Sequence, residues 1–144
     1  MFSKTCEYAI KAVLYIATAP EENNLFSLNA IAKAIDSPNA YTSKILQQLA
    51  KTNIIQSVKG HAGGYFIAKN NLSTLFLSDI VDAIDGDGIC TSCGLGLKQC
   101  SAKNPCPLHD QFMQIRTDIK LMLKKTSIKQ MADGISEKDF SLKR

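Results

Sequence analysis

The fold is decided by the stretch I-I-Q-S-V-K-G-H-A-G-G-Y-F-I-A, residues 54–68. Both of its ends are rich in the β-branched and aromatic residues that favour strands. Between them, Gly63 and Gly64 permit positive φ angles and a close approach of another backbone. The stretch therefore predicts a β-hairpin with a long glycine-rich tip that carries Lys59 and His61.

Three amphipathic helices are predicted ahead of this hairpin. Apolar residues recur at helical spacing through residues 4–18, 28–35 and about 38–51. Ser3, Ser27 and Ser37 are the expected N-caps, and Pro38 is the expected first residue of the third helix. The second and third helices, joined by a short turn, form a helix-turn-helix, whose second helix enters the major groove of DNA. A hairpin directly after this unit predicts a winged helix.

The exposed side of the third helix and the hairpin tip form the candidate DNA-binding surface. Serine, lysine and glutamine suit base edges and phosphates, but an ordinary solvated helix face carries the same residues. The hairpin that follows favours DNA, with Lys59 as the expected phosphate or minor-groove contact. A nucleotide-binding loop is disfavoured because no helix starts at the glycines. The candidate residues are Tyr41, Ser43, Lys44, Gln47, Lys51, Lys59, His61, Gly63 and Gly64.

Four of the five cysteines, with one histidine, fall within residues 90–109. Clustered thiols in a reducing compartment more often bind metal or carry out redox chemistry than form structural disulfides. Soft thiolates in a short polar loop suit zinc or an iron–sulfur cluster. A Cys₃His zinc site and a thiol/disulfide switch both remain open. These residues are Cys90, Cys93, Cys100, Cys106 and His109, whereas the distant Cys6 is expected to be a buried hydrophobe.

Composition narrows the function further. The 144 residues are 45% hydrophobic and 21% charged, with a net charge of +4 that permits nucleic-acid binding. No signal peptide or membrane-spanning run is visible, so we expect a cytoplasmic protein with no membrane partner.

A thiol oxidoreductase using Cys90 and Cys93 is disfavoured, because no thioredoxin-like βαβ pattern surrounds them. The chain is predicted not to be an enzyme.

A further amphipathic helix is predicted after the cysteine-rich segment. Its apolar residues recur at steps of four, three, four and three, which is typical of a dimerisation seam. The alternative is one helix packed on its own domain, but the winged helix already has a core, so a homodimer is favoured. The seam consists of Leu108, Phe112, Ile115, Ile119 and Met122.

Four motifs make the sequence resemble the Rrf2 family of winged-helix transcription regulators. They are S-K-T-C-E-Y-A-I-K-A at 3–12, S-V-K-G-H-A-G-G-Y at 57–65, L-S-D-I-V-D-A-I-D at 77–85, and C-x5-C-x2-H from Cys100 to His109. The resemblance covers nearly the whole chain. It implies a homodimer that binds a palindrome-like operator in double-stranded DNA. It also implies, for the cluster-binding branches, three cysteine ligands and one ligand of another type.

The resemblance also assigns ligands to an iron–sulfur cluster, either 2Fe-2S or 4Fe-4S, with zinc as the alternative. A gap-free match from residues 83–85 puts Cys93 at the first cysteine position, followed by Cys100 and Cys106. The fourth ligand is a histidine in one branch of the family, matched here by His109. In another branch it is a carboxylate from the first helix of the other subunit, matched here by Glu7. Cys90 is an extra thiol that can replace either of them.

These inferences predict a mainly α-helical fold with a small β-hairpin. The expected regions are a DNA-binding winged helix-turn-helix (1–85), a cysteine-rich sensor loop (86–107), a dimerisation helix with a short terminal helix ending at Gly134 (108–134) and a polar tail (135–144). The expected function is a dimeric transcription regulator whose cluster senses redox state, nitric oxide or cluster supply.

Overall fold

The computed structural model describes residues 1–19, 24–138 and 141–143. Within them the chain forms eight helices and two short antiparallel strands. In order these are α1 (Lys4–Ala17), α2 (Leu28–Ala34), α3 (Asn39–Lys51), β1 (Gln56–Val58), β2 (Gly64–Phe66), α4 (Lys69–Leu72), α5 (Leu77–Ile84), α6 (Gly88–Thr91), α7 (His109–Lys125) and α8 (Ile128–Lys138). The predicted tail beyond α8 includes residues 139, 140 and 144, which lie outside the described residues.

Two of the three predicted serine caps are present. The Ser3 hydroxyl accepts a hydrogen bond from the Cys6 amide, and the Ser27 hydroxyl accepts one from the Ala30 amide. Ser37 does not cap α3: its hydroxyl is buried and makes no hydrogen bond within the described chain. The N-cap and the first residue of α3 were each predicted one position too early. Pro38 is the N-cap because its ψ of 138° is extended, and helical backbone starts at the next residue.

The hairpin is held against the helix-turn-helix by a third backbone segment. β1 pairs with β2 so that Ser57 faces Tyr65. Phe26, just before α2, exchanges two 2.9 Å backbone hydrogen bonds with Tyr65. A Cβ on Gly63 would lie 2.1 Å from the Val58 carbonyl oxygen, so the tight tip requires glycine there. The hairpin tip is thereby fixed beside the N-terminal end of α2.

α1 is the centre of the core. It packs against α2, α3 and α5, as a winged helix requires, and also against α8. Ile128 and Ala132 of α8 are almost fully buried in this same core. α8 passes the predicted end at Gly134 because Ile135 also packs on the core, and this burial outweighs the low helix propensity of one glycine.

Two short helices, α4 and α6, were not predicted from the sequence. α6 begins at Gly88, the last residue of the Asp-Gly run at 85–88. It packs against α7, so tertiary contacts stabilise a helix that its own four residues would not form. Within the described ranges, none of the helices combines the length and apolar character needed to cross a bilayer.

Candidate metal centre and nucleic-acid interface

Three of the predicted ligands converge at the N-terminal end of α7. The Sγ atoms of Cys93, Cys100 and Cys106 all lie within 4.8 Å of one another. Those of Cys93 and Cys106 are 3.7 Å apart. Successive tight turns direct the thiols inward: the Gly96 amide donates to the Cys93 carbonyl, and the His109 amide donates to the Cys106 carbonyl. The loop is therefore folded around a shared sulfur-lined point.

The pKa values of Cys93 and Cys106 are shifted in opposite directions. Hydrogen bonds from the backbone of Leu97 and of Leu95 lower the pKa of Cys93 to about 7. Desolvation instead raises the pKa of Cys106. Metal ligation requires the thiolate, so metal binding here would begin with a partly ionised Cys93 and would release protons from the group.

The candidates for the fourth ligand lie in very different places. The His109 Nδ1 atom is 3.2 Å from the Cys100 Sγ atom. Glu7 lies in α1, where its carboxylate forms a 2.9 Å ion pair with Lys4. Cys90 lies in α6 and lines a separate cavity of about 230 Å³ together with Lys120 and Lys124. Within one chain, only His109 of these three adjoins the thiol group in the described structure.

The donor set fits a thiophilic metal. Two thiolates bound at 2.3 Å to one tetrahedral ion would be roughly 3.8 Å apart, close to the 3.7 Å between Cys93 and Cys106. A cavity of about 390 Å³ opens beside Cys100 and Cys106 and leaves space at the sulfur group. Three soft donors with an adjacent imidazole suit zinc or iron–sulfur chemistry and are poor ligands for magnesium or calcium.

Two side chains of α7 also contact this loop, and neither contact was predicted from the sequence. The Arg116 guanidinium donates a 2.6 Å hydrogen bond to the Ser92 carbonyl. The Phe112 ring lies so close to Gly94 that a Cβ there would be 2.4 Å from its Cζ atom. The four-residue spacing on one helix face is the only sequence signal for this pair, and it is shared by many ordinary helices.

The predicted DNA-binding residues lie on α3 and on the hairpin tip, which face a common groove. Gln47 and Lys59 line this groove, whose volume is about 500 Å³. Lys44, Lys51 and His61 are exposed, and Ser43 is half-buried within hydrogen-bonding distance of Gln47. Gly63 and Gly64 also line the groove, at the base of the tip.

Tyr41 has a different position from the other predicted DNA contacts. Its hydroxyl is 2.6 Å from the Thr5 hydroxyl of α1, and its ring packs edge-on against Tyr8. The side chain is half-buried. Tyr41 therefore joins α3 to α1 within the domain.

The predicted dimerisation residues divide between two faces of α7. Leu108, Ile115 and Met122 are 38%, 49% and 45% exposed and follow one another at seven-residue intervals. Ile119 instead packs on the chain's own core, and Phe112 contacts the cysteine loop. Only the first three form an exposed apolar row.

Comparison with known proteins gives consistent matches along the chain. The Rrf2 family model, described as an iron-dependent transcriptional regulator, matches residues 2–134. A relative in Aquifex aeolicus, provisionally named an HTH-type transcriptional regulator, is 31% identical over 140 residues, covering 96% of this chain and 94% of the relative. The HTH-type transcriptional regulator IscR of Photorhabdus laumondii is 24% identical over 127 residues, covering 88% of this chain and 76% of its own.

Solved structures confirm the predicted fold class. CymR, the global cysteine regulator of B. subtilis, has a TM-score of 0.76 at 19% identity, over 92% of this chain and 96% of its own. IscR of T. potens has a TM-score of 0.72 at 19% identity, over 98% of this chain and 92% of its own. At such identities the likeness is one of fold: mainly helical, with one small antiparallel hairpin.

Proposed function

Because this chain belongs to the Rrf2 family of transcriptional regulators, we propose that its cysteine centre controls its affinity for an operator in double-stranded DNA. The chain is a DNA-binding regulator and not an enzyme, as the sequence predicted. In our proposal an iron–sulfur cluster is bound by Cys93, Cys100 and Cys106, with His109 as the fourth ligand. The observation that carries the proposal is the convergence of three Sγ atoms within 4.8 Å.

Iron is favoured by the description of the matching family as iron-dependent. A bound cluster would supply a centre that reacts to redox state or to nitric oxide. The chain's own contribution is to hold the thiolates at the start of α7, where the positive end of the helix dipole favours an anion. Cys106 lies three residues before the first residue of that helix.

A route from the centre to the DNA-reading helix is supported by two long-range hydrogen bonds. Gln48 of α3 donates to the Ala83 carbonyl at the end of α5, at 2.8 Å. Asp85, just after α5, accepts a 2.8 Å hydrogen bond from the Ser3 amide at the start of α1. The segment after Asp85 leads through α6 into the cysteine loop, so movement of the loop on metal loss can shift α3. In a dimer with two half-sites, a small shift of α3 changes operator affinity.

The test is purification without oxygen and reconstitution with iron and sulfide, followed by visible absorption and iron and sulfide analysis. We expect a coloured protein whose operator affinity changes when the cluster is removed. Cys106→Ala should abolish the colour. Cys90→Ala is the matched control, because Cys90 lies in the same segment but outside the sulfur group, and it should keep the colour. Oxygen-free protein that takes up no iron would contradict the proposal.

A single zinc ion is the second candidate, supported by the 3.7 Å separation of Cys93 and Cys106, which suits two ligands of one tetrahedral metal. The same proximity also suits a thiol/disulfide switch in metal-free protein. Metal analysis of protein purified without oxygen separates these candidates. Zinc without iron or sulfide favours the zinc site, and no metal with a Cys93–Cys106 crosslink after oxidation favours the switch.

A further inference from the structure

The segment that carries Cys93 contacts α7 on both sides of the cysteine. On one side, the Ser92 carbonyl accepts the 2.6 Å hydrogen bond from Arg116. On the other side, Gly94 lies against the Phe112 ring. The two α7 residues are one turn apart, so they present their side chains to the loop from one helix face. Cys93 is thus the middle residue of a three-residue segment whose two ends are both held by α7.

Neither contact is readily replaced by another residue. Arginine carries a planar, permanently charged fork of N–H donors, which can approach a carbonyl with defined geometry. A Cβ on Gly94 would lie 2.4 Å from the Phe112 Cζ atom and 2.5 Å from both Cε atoms. Since the whole end of the ring faces Gly94, any side chain there would displace the loop or the ring.

The other candidate ligands are also positioned by the start of α7. His109 is the first residue of the helix, and its amide donates to the Cys106 carbonyl. Its Nδ1 atom lies 3.2 Å from the Cys100 Sγ atom. Of the three thiols in the group, Cys93 comes first along the chain and is the nearest in sequence to α6. α6, which leads into this segment, packs on α7, and the contacts at Ser92 and Gly94 extend that attachment to the two residues that flank Cys93.

We propose that Arg116 and Phe112 are positioning residues that hold Cys93 in the metal-binding arrangement. This inference rests on the proposed metal-binding role of the thiols. Neither side chain is proposed as a ligand. Changes to residues that orient metal ligands commonly reduce metal affinity 10- to 100-fold, and we expect an effect of about that size.

The experiment is a titration of the reduced, metal-free, full-length protein with cobalt(II) under anaerobic conditions. Thiolate-to-cobalt charge-transfer absorption reports the number of thiolate ligands and the affinity, independently of DNA binding. Arg116→Gln should weaken cobalt binding about 10- to 100-fold while keeping the charge-transfer intensity at saturation. Arg116→Lys, which keeps a charge and a donor, should recover part of the affinity.

The matched control is Lys125→Gln, which removes a positive charge from the last residue of the same helix. It should bind cobalt as wild type does. Thermal unfolding of each metal-free variant is measured alongside, and an unchanged transition for Arg116→Gln shows that the loss of affinity is not a loss of fold. If that variant binds cobalt as tightly as wild type, the positioning role is wrong while the metal site stands.

A second pair of variants tests the Phe112 contact. Gly94→Ala should weaken cobalt binding because its methyl group would meet the Phe112 ring. Gly88→Ala is the control, since a Cβ there would have its nearest neighbour, the Ser92 hydroxyl, at an ordinary 3.5 Å. Equal affinity in both glycine variants would overturn the role of Phe112. Wild-type protein that binds no cobalt through thiolates would overturn both this inference and the proposed metal centre.

Discussion

Among single residues, Cys93 has an environment that favours the thiolate. Hydrogen bonds from the Leu97 and Leu95 backbones give it a pKa of about 7 in the metal-free chain. Lowering the pH through 7 protonates this thiol, so the affinity for a thiolate-bound metal should fall in that range.

This assignment predicts the order in which the thiols are alkylated. In metal-free protein treated with iodoacetamide, modification of Cys93 should rise with pH through an inflection near 7, because only the thiolate reacts. Cys106, whose pKa is raised by desolvation, should need a more alkaline pH. Peptide mass spectrometry at a series of pH values measures both residues in one sample. Identical pH profiles for the two thiols would show that the assignment is wrong.

At this scale the sequence predicted what depends on neighbours in the chain. Ser3 and Ser27 cap their helices as expected, because a cap needs only its own side chain and amides within three residues. Ser37 does not cap α3 because Pro38 is the last extended residue before the helix, one position later than the predicted N-cap. The approach of His109 to a cysteine was anticipated from the resemblance, whereas the isolation of Cys90 depends on tertiary packing.

Among the elements, α7 has two apolar faces where the sequence predicted one seam. Its inward face includes Ile119 and the buried Leu123. Its outward face carries Leu108, Ile115 and Met122 at seven-residue spacing. Periodicity alone cannot divide a stripe between an intramolecular and an intermolecular partner, since both need apolar residues at the same steps. The outward row remains our candidate for the dimer contact.

Ile115→Lys should therefore convert a dimer into monomers. A charge in the middle of an apolar row would have to be desolvated on association. Sedimentation velocity measures the change. Met113→Lys is the matched control, because Met113 is 50% exposed, nearly the same as Ile115 at 49%, but lies on another side of the helix. A dimer that tolerates the change at Ile115 would place the subunit contact elsewhere.

The hairpin tip and α3 should contribute differently to DNA binding. Lys59→Ala should weaken binding to all duplexes and reduce the salt dependence by about one counterion per subunit, as expected for a phosphate contact. Gln47→Ala should instead change the preference among duplex sequences, since glutamine on the reading helix suits base edges. Fluorescence anisotropy at several salt concentrations distinguishes the two behaviours. A change of sequence preference in the Lys59 variant would contradict its assignment to phosphate.

α8 should contribute strongly to stability although it lies near the end of the sequence. Ile128 is fully buried in the core that α8 shares with α1, so Ile128→Ala should reduce the free energy of unfolding by about 2–5 kcal/mol. Chemical denaturation followed by circular dichroism gives this value. Lys129→Ala, one residue further along and exposed, is the control and should have little effect. A small loss for Ile128→Ala would mean that α8 is only loosely packed.

For the whole molecule, one hydrophobic core joins the two ends of the chain. Residues from α1 through α5 share it with Leu123, Ile128 and Ala132. The sequence predicted the winged helix because its helices and hairpin are consecutive and locally patterned. The sequence predicted a C-terminal unit separate from the winged helix, because no local pattern indicates that α8 packs against α1. Consequently both ends of the cysteine loop are attached to one packed body, and a change in the shape of the loop acts on that body at both ends.

One buried side chain offers a simple means of counting occupied ligands. Cys6 is inaccessible in the core, and desolvation with the nearby Asp85 raises its pKa to about 12. It should therefore not react with Ellman's reagent until the protein unfolds. The four other thiols are only partly buried and should react in the native, metal-free protein. In metal-free protein, the number of reactive thiols should therefore differ by one between the native and the denatured state, and this difference serves as an internal reference. In metal-loaded protein, the number of unreactive thiols beyond this one then equals the number of cysteines that bind the metal or cluster.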